Sequence, residues 1–453
     1  MYKAILAIRY LFKRRISYFS LAAVALCVFV VLVVITVLSG LTSEFKKNTY
    51  RSVGDCVIST KSLVGFPYYD EFISRLEKES IVQAASPVIK NYAMVKSTES
   101  LNGAPYIDRT LEVMGVEPIT YSRVTGFADW LVYNKADAQK AFTQSYDANA
   151  PGCVMGIGFL FQRDSQGQYI IPDQKPTFKV EISCVPLTAK GALANVGTTV
   201  VNTKDFAFSD CAKSGISIDW KTIYLPFDQV QILCGMGMEP KRTNEIFIKF
   251  EPDVKLSAGC QRVSQLWRGF VEEKADARYA NLLGKVKVQS WKIYSRDIVA
   301  VAETQQMLMI MCFAMIAVIT VFIVFVVFYM IVSHKSKDIG ILKSVGVSSG
   351  NILVLFLSFA FLVAVLGSII GSLCGWQFLV YINQIEDCMF ERFGIQLFDR
   401  TIYAIGDIPN VIDIKVLAGI IISAIATCLI GAVIPSWQAA RLKPIETLQV
   451  NQL

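Results

Sequence analysis

Side chains that could carry out catalysis are few in this sequence. The single histidine is His334, so general acid–base chemistry would otherwise rest on carboxylates such as the pairs Asp70–Glu71 and Glu272–Glu273. Both pairs fall in helical patterns, where acids usually form a solvated face. The phosphate-binding pattern GxxxxGK[ST] and the metalloprotease pattern HExxH do not occur. The sequence therefore predicts a chain that is not an enzyme by itself.

A polar segment, residues 334–352, interrupts the apolar second half of the chain and has the pattern of a short amphipathic helix. In a helix from Lys335 to Val345, one arc is apolar and is expected to carry Ile339, Ile341, Leu342 and Val345. The other arc carries Ser336, Lys337, Gly340, Lys343 and Ser344. Gly346 is placed to end this helix, and Ser348 or Ser349 to cap the next one.

Asp338 is the exception in this segment because it falls within the apolar arc. The helix dipole favours an acid in the first turn, and an acid among apolar side chains also indicates a specific basic partner. Two interpretations stay open at this point. The helix docks onto a partner protein, or its lysines only reach toward lipid headgroups.

The segment lies among four stretches without Asp, Glu, Lys, Arg or His: Ile16–Ser43, Thr304–Ser333, Ser344–Ile385 and Val416–Ala440. Each exceeds the roughly 20 residues that a helix needs to cross a bilayer. None keeps the polar stripe typical of a soluble helix. The first is too long for the roughly 7–15-residue apolar core of a cleaved signal peptide. We therefore predict four transmembrane helices, of which the first is an uncleaved anchor.

The charges beside these helices predict an orientation. Bases outnumber acids before the first helix, in 334–351 and in 441–453, whereas acids outnumber bases between the third and fourth helices. The positive-inside rule then places both termini and 334–351 in the cytoplasm. The expected order is cytoplasmic N-terminus 1–15, membrane helix 16–43, external α+β domain 44–303, membrane helix 304–333, cytoplasmic helix 334–351, membrane helix 352–382, external loop 383–415, membrane helix 416–440 and cytoplasmic C-terminus 441–453.

The large domain alternates strand and helix patterns, which predicts an α+β fold. Strands are expected at Cys56–Ser59, Tyr92–Lys96, Thr110–Met114, Thr177–Cys184, Ile223–Leu225 and Glu245–Phe250, and helices at Tyr69–Lys78 and Cys260–Arg278. Two polar segments, Asp129–Pro151 and Arg163–Pro176, are interpreted as excursions from the core.

Six of the eleven cysteines fall in this domain: Cys56, Cys153, Cys184, Cys211, Cys234 and Cys260. An oxidising compartment would permit up to three disulfides among them, with the pairing undetermined. No C-x-x-C spacing occurs and only one histidine is present. We therefore expect no metal site in the chain.

Several motifs resemble the permeases of MacB/FtsX-like ABC transporters, and most closely the lipoprotein-releasing permeases LolC and LolE. The stretch DIGILKSVGVSSGNI is similar to that family's cytoplasmic loop, although Asp338 stands where the family usually has Glu. The C-terminus is similar to the family's closing pattern at Pro435, Ala439, Ala440, Pro444, Glu446 and Leu448. The start of the chain and four segments of the large domain also resemble the family: ASPVIKNYAMV, LEVMGVEPITYSRV with its turn at Gly115–Pro118, VMGIGFL and IYLPFDQVQIL. The cysteines and the 129–151 segment are departures from it.

The resemblance implies a multi-pass protein of the bacterial inner membrane that pairs with a second permease chain, identical or paralogous. ATP and Mg²⁺ would be bound by a separate cytoplasmic ATPase, and no cofactor is expected in this chain. The ATPase would contact Lys337, Asp338, Ile339, Ile341, Leu342, Lys343, Val345 and Gly346. In lipoprotein release, acyl chains are drawn from the membrane and passed to a soluble periplasmic carrier. The Gln162–Lys179 stretch is either a plain surface loop or the hairpin that recruits this carrier.

A path for acyl chains has to remain apolar from the bilayer to the outer domain, because each exposed CH₂ costs about 0.8 kcal/mol in water. We expect its walls at the outer end of the first helix and the start of the second, at Val34, Val37, Leu38, Leu41, Met307, Leu308 and Met311.

The alternatives to lipoprotein release are a MacB-like export permease and an FtsX-like signal transmitter that moves no cargo. The large domain favours a transporter, because FtsX-like chains have a much smaller one.

Overall fold

The computed structural model describes residues 15–97, 107–144, 146–147, 150–162, 169–194, 201–215, 221–334, 336–393 and 408–442. The chain divides into two compact units. The membrane unit comprises Met1–Thr42, Val301–Gln396 and Asp407–Leu453, and the α+β domain comprises Ser43–Ala300 and Leu397–Gly406.

Within the described residues, four helices are long and apolar enough to cross a membrane. They are Arg15–Val53, Arg296–His334, Ser349–Phe393 and Ile414–Arg441, and we call them the first to fourth membrane helices. Each continues beyond the apolar stretch that predicted it. A short helix, Ser336–Ser344, separates the second membrane helix from the third, and we call it the connecting helix. Together with the large α+β domain, these helices confirm the predicted fold class.

Glycines let the third membrane helix approach the first. Gly367, Gly371 and Gly375 recur at every fourth residue and therefore share one helix face. A Cβ atom added at Gly371 would lie 2.4 Å from the carbonyl oxygen of Ala25 in the first helix. Small residues at this spacing allow two membrane helices to pack backbone against backbone.

The α+β domain contains eleven strands among its described residues. They are β1 Cys56–Ser59, β2 Phe66–Pro67, β3 Val82–Ser97, β4 Asp108–Val116, β5 Gly152–Gly156, β6 Lys179–Cys184, β7 Asn202–Ala212, β8 Thr222–Pro226, β9 Arg242–Thr243, β10 Glu245–Phe250 and β11 Lys287–Ser290. Nine of them form one sheet in the order β11-β1-β10-β3-β4-β8-β5-β7-β6, and β2 pairs with β9. The parallel pairs are β4–β8 and β5–β7.

Six of these strands close into a ring, because β6 pairs with the end of β3 as well as with β7. The 16-residue length of β3 makes this possible. Its first half pairs with β10 and its second half with β4, while its last four residues, Met94–Ser97, also pair with β6. Strands β10, β1 and β11 extend the sheet beyond the ring.

Helices cover the sheet. They are α1 Tyr69–Leu76, α2 Pro118–Val124, α3 Phe127–Trp130, α4 Ile157–Leu160, α5 Phe227–Leu233, α6 Leu256–Glu273, α7 Ala280–Leu283 and α8 Trp291–Tyr294, together with a 3₁₀ turn at Ala138–Lys140. The main core contains Phe72, Trp267 and Phe270, whose rings pack against each other. Gly115 lets α5 lie directly on β4, since a Cβ there would be 2.7 Å from Val230 Cβ.

The interpretation of 129–151 as an excursion is wrong for much of that segment. Trp130, Leu131 and Ala141 are buried in a second core, formed around Tyr121 and Tyr224. Asp210 holds the segment, because its carboxylate accepts hydrogen bonds from the backbone N–H groups of Val132, Tyr133 and Asn134. The polar composition suggested exposure, but a buried carboxylate on a distant strand satisfies the backbone groups.

Candidate functional site

The connecting helix ends in a well-defined cap. Gly346 has φ 98°, a left-handed conformation that favours glycine. The N–H of Gly346 donates to Lys343 O at 3.0 Å and that of Val347 to Leu342 O at 3.1 Å, the two bonds of a Schellman motif. The predicted C-terminal cap at Gly346 is confirmed. The tight turn leads directly into the third membrane helix.

Ser348 begins that membrane helix, because its Oγ accepts a hydrogen bond from the N–H of Asn351 at 3.4 Å. The predicted N-cap is therefore confirmed. Residues 346–350 also match the pattern G-x-S-x-G, which in α/β hydrolases exposes a nucleophilic serine between a strand and a helix. Here Ser348 lies between two helices, where its hydroxyl has a capping role.

The four apolar residues of the connecting helix do not share one face, contrary to the prediction. Ile339 is buried and packs with Val332, Ile352, Phe356 and Ala439 in the membrane unit. Ile341 is 53% exposed and Val345 79% exposed, while Leu342 is half-buried. The physical reason is the helical repeat: residues two apart point about 200° apart, so Ile339 and Ile341 face opposite sides.

The exposed apolar surface is therefore the edge formed by Ile341 and Val345, which are four residues apart and adjacent on one face. Ile339 instead anchors the helix to its own chain. Lys337 and Asp338 lie in the helix backbone, but their side chains are outside the part of the chain that the structure describes.

Lys343 has a role that the sequence did not indicate. Its Nζ donates hydrogen bonds to the carbonyl oxygens of Ala440 and Leu442, both at 2.7 Å, at the end of the fourth membrane helix. A cation is favourable there because the last carbonyls of a helix carry the negative end of its dipole. The two segments are far apart in the sequence, so spacing gave no signal of this contact.

The closing motif of the chain supplies the other side of this contact. Pro435, Ala439 and Ala440 are buried in the fourth membrane helix, and Ala439 packs in the same cluster as Ile339. The small alanine side chains leave room for the connecting helix. Pro444, Glu446 and Leu448 lie outside the described residues. Lys343 and Ile339 thus attach the connecting helix to the fourth membrane helix.

Within the membrane unit, an apolar cavity of about 310 Å³ lies between the first, second and fourth membrane helices. Its lining includes Val28, Val31, Phe313, Ile420 and Thr427. None of the residues predicted to line a substrate path contributes to it.

Those predicted residues separate into two groups. On the first membrane helix, Val37 and Leu41 are buried, and Val34 and Leu38 are half-buried. The segment before the fourth membrane helix covers the first helix near Gly40, where an added Cβ would lie 2.5 Å from Pro409 Cβ. On the second membrane helix, Met307, Leu308 and Met311 are exposed.

A second cavity, of about 590 Å³, lies inside the α+β domain. The two chain segments that leave this domain both contribute to it, through Phe45, Thr49 and Asp297. Its charged groups include Glu245, Lys90 and Glu112, with Lys90 and Glu112 paired at 2.9 Å. Glu245, Glu112 and Lys90 make one wall of the cavity polar.

Glu245 is the most perturbed of these groups. Burial raises the pKa of Glu245 to about 7, although the charge of Lys90 and a hydrogen bond from Tyr294 oppose the rise. The Tyr294 hydroxyl donates to Glu245 Oε1 and Oε2, at 2.7 and 2.9 Å. The pKa of Lys90 is raised, because Glu112 and Glu245 outweigh the lowering effect of burial. Glu245 therefore titrates near neutral pH next to the segment that leads into the second membrane helix.

The Gln162–Lys179 stretch returns toward its own start. The N–H of Ile170 donates to Gln162 O at 2.9 Å, and Phe178 is buried where β6 begins. Residues 163–168 are outside the described part of the chain. Ile170 itself is 60% exposed, so an apolar side chain lies at the surface beside this bond.

Among the described residues, no three His, Cys, Asp or Glu side chains converge as metal ligands would.

Comparison with known proteins agrees with this architecture. Residues 310–444, which hold the connecting helix and most of the last three membrane helices, match the family model "FtsX-like permease C-terminal". This match and the relatives described next support a permease of the LolC/MacB/FtsX-like type.

Two relatives carry the name "Lipoprotein-releasing system transmembrane protein LolC". That of Xylella fastidiosa (strain Temecula1 / ATCC 700964) is 23% identical over 168 residues, and the match spans 37% of this chain and 41% of the relative. That of Neisseria meningitidis serogroup B is 19% identical over 448 residues, spanning 97% of this chain and 95% of the relative.

Two solved structures are similar to parts of the chain. The periplasmic region of MacB from Actinobacillus actinomycetemcomitans has a TM-score of 0.30 and 14% identity, over 55% of this chain and 95% of that one. The extracellular domain of the noncanonic ABC-type transporter YknZ from Gram-positive bacteria has a TM-score of 0.28 and 11% identity, over 52% of this chain and 99% of that one.

Proposed function

We propose that this chain is the permease subunit of an ATP-driven transporter that extracts lipoproteins from the inner membrane for transfer to a periplasmic carrier. Both termini and the connecting helix lie in the cytoplasm, and the α+β domain lies in the periplasm. The observation that carries the proposal is the exposed edge of Ile341 and Val345 on a helix that is otherwise attached to its own membrane helices.

This edge docks into an apolar groove of a separate ATPase subunit, which binds ATP and Mg²⁺. Two exposed apolar side chains at i, i+4 spacing are the anchors that a helix presents to a groove. Because Ile339 and Lys343 hold the connecting helix on the fourth membrane helix, a push from the ATPase moves both elements together. The energy of nucleotide binding reaches the membrane helices through these contacts.

The cargo assignment has separate support. The two LolC relatives are named for lipoprotein release. The cavity between the first, second and fourth membrane helices has an apolar lining, which suits acyl chains. The second membrane helix exposes a long apolar face that includes Met307, Met311 and Met315. Methionine side chains adapt to apolar partners of varied shape, such as acyl chains or a second permease chain.

A charge introduced at the most exposed position of the docking edge tests whether this edge contacts the ATPase. Val345→Asp places a carboxylate where the ATPase contact excludes water, and an unpaired buried charge is strongly destabilising. The chain is purified in mild detergent from cells, and the proteins that copurify are identified by mass spectrometry. We expect an ABC-type ATPase with the natural chain and at least a tenfold loss of it with Val345→Asp, since each 1.4 kcal/mol is tenfold in affinity.

Val411→Asp is the matched control. Val411 is 85% exposed and lies in the segment before the fourth membrane helix, which the proposal places on the opposite side of the membrane. This variant should keep the ATPase. Equal retention of the ATPase by both variants would contradict docking through the connecting helix. Copurified cell-wall hydrolase without any lipoprotein would favour the signal transmitter.

A further inference from the structure

Two pairs of cysteines meet in the α+β domain, although their members are far apart in the sequence. The four cysteines of these pairs are free thiols in the structure. Cys56 and Cys260 lie within hydrogen-bonding reach of each other, and so do Cys184 and Cys234. Three of these four thiols are almost completely buried, and Cys260 is half-buried.

The first pair joins the sheet to the long helix α6. Cys56 begins β1 and is opposite Ile248 of the adjacent strand β10. Gly259 brings α6 onto the same strand, since a Cβ there would lie 2.5 Å from the ring of Phe250. Cys260 follows Gly259 directly, so the close approach of the helix backbone puts its thiol against Cys56.

The second pair joins the end of β6 to the end of α5. Cys184 is the last residue of β6 and is opposite Asn202 of β7, whose side chain donates to Leu233 O at 3.2 Å. The N–H of Leu187 donates to Cys234 O at 3.1 Å. Hydrogen bonds on both sides thus hold the backbone of Cys234 beside Cys184.

We propose that the α+β domain is crosslinked by two disulfides, Cys56–Cys260 and Cys184–Cys234. The proposal rests on the periplasmic location given under the proposed function, because disulfides persist in oxidising compartments. Each bond would tie a covering helix to the sheet. Cys153 is left outside the two bonds.

The chemistry is exchange with a disulfide of the compartment, either a thiol–disulfide oxidoreductase or a small molecule. A hydrogen bond from Cys56 lowers the pKa of Cys260, which is also the more accessible thiol of its pair. The Cys260 thiolate attacks one sulfur of the oxidant and releases the other as a thiol. The Cys56 thiolate then attacks the Cys260 sulfur of this mixed disulfide and releases the second thiol. The oxidant gains two electrons and two protons.

The second pair differs in access. Cys184 and Cys234 are each 1% exposed, so an oxidant reaches them only before the domain has finished folding. Asn91 donates a hydrogen bond to the Cys234 sulfur at 2.9 Å, which supports its thiolate form. In a folded and reduced protein, the Cys56–Cys260 bond should therefore form first.

The test maps every thiol of the full chain purified from cells in detergent. Free thiols are alkylated under denaturing conditions without reductant, and disulfides are then reduced and alkylated with a heavier reagent. Peptide mass spectrometry should find the heavy label on Cys56, Cys260, Cys184 and Cys234. Cys153, which is equally buried in the same domain, should carry the light label. In the variant Cys260→Ser, Cys56 should change to the light label, while the other pair keeps the heavy one.

A second arm separates the pairing from the compartment. The purified chain is reduced, and then unfolded and refolded with glutathione disulfide. Light label at all four cysteines in both arms would overturn the pairing and leave the proposed function standing. If both disulfides form during refolding with glutathione disulfide but are absent from the chain purified from cells, the periplasmic location is overturned, and the proposed function with it. Heavy label on Cys153, or a linked peptide that joins members of the two pairs, would also overturn the pairing.

Discussion

Close packing of the first and third membrane helices makes Gly371 sensitive to a single added carbon. The Cβ of an alanine would lie 2.4 Å from the carbonyl oxygen of Ala25, whereas carbon and oxygen atoms in contact are about 3.3 Å apart. The oxygen belongs to a helix backbone and cannot rotate away. The two helices therefore have to separate locally by roughly 1 Å, and overpacking of this kind costs about 1–3 kcal/mol.

The intrinsic effect of replacing glycine in a helix has the opposite sign, because alanine is favoured over glycine by about 1 kcal/mol. Gly419 in the fourth membrane helix separates the two effects, because an added Cβ there has no neighbour within 4 Å. Gly371→Ala should thus be less stable than Gly419→Ala by about 1–3 kcal/mol. Gly375→Ala should fall between them, because its nearest neighbour, Leu32 Cδ2 at 2.9 Å, ends a flexible side chain.

The assay is reversible unfolding of the membrane unit in mixed micelles with increasing fractions of denaturing detergent. Trp376 in the third membrane helix and Trp437 in the fourth report the transition by fluorescence. Equal midpoints for Gly371→Ala and Gly419→Ala would refute the reasoning, because the close approach of the two helices would then have no energetic consequence.

Two further predictions concern single charged groups. Lys343→Met should stay in the membrane, but its lipoprotein-stimulated ATPase rate in the complex should fall at least tenfold, because the hydrogen bonds to Ala440 and Leu442 are lost. Lys343→Arg should retain more of this rate. An unchanged stimulated rate in Lys343→Met would contradict the role of this contact. Glu245 has its pKa raised from 4.5 to about 7 by burial, so the folded domain keeps this proton longer than the unfolded chain. The stability that results is fully present below pH 4.5 and is lost as the pH rises to about 7, a loss of the order of 3 kcal/mol. Urea unfolding of the detergent-solubilised chain across this window should show the decline, and Glu245→Gln, which cannot titrate, should remove it; a decline of the same size in both would assign it to other groups.

The membrane helices and several strands could be predicted from the sequence because their signals are local. An uncharged stretch such as Val416–Ala440 is long enough to cross a bilayer whatever surrounds it. Strands β1 and β10 are predicted with the bounds that they have, since each is a short, largely apolar run. Strands β5 and β7 were missed. Their polar or small residues, such as Asp210 and Gly152, are buried by contacts with distant segments.

The site was only partly predictable for the same reason. The caps at Gly346 and Ser348 depend on the neighbouring residues and were found. Which face of the connecting helix is exposed depends on its packing against Ala439 and Phe356, which no local pattern reveals. The contact of Lys343 with the fourth membrane helix and the burial of Val37 are likewise tertiary.

Release of a lipoprotein from reconstituted vesicles tests the central claim most directly. The chain and the ATPase that copurifies with it are placed in liposomes that contain a fluorescent lipoprotein, and soluble lipoprotein is measured after ATP and Mg²⁺ are added with a carrier protein outside. We expect ATP-dependent release with the natural chain and with Val411→Asp, and none with Val345→Asp. ATP hydrolysis that proceeds at the full rate while no lipoprotein leaves the vesicles would contradict the account.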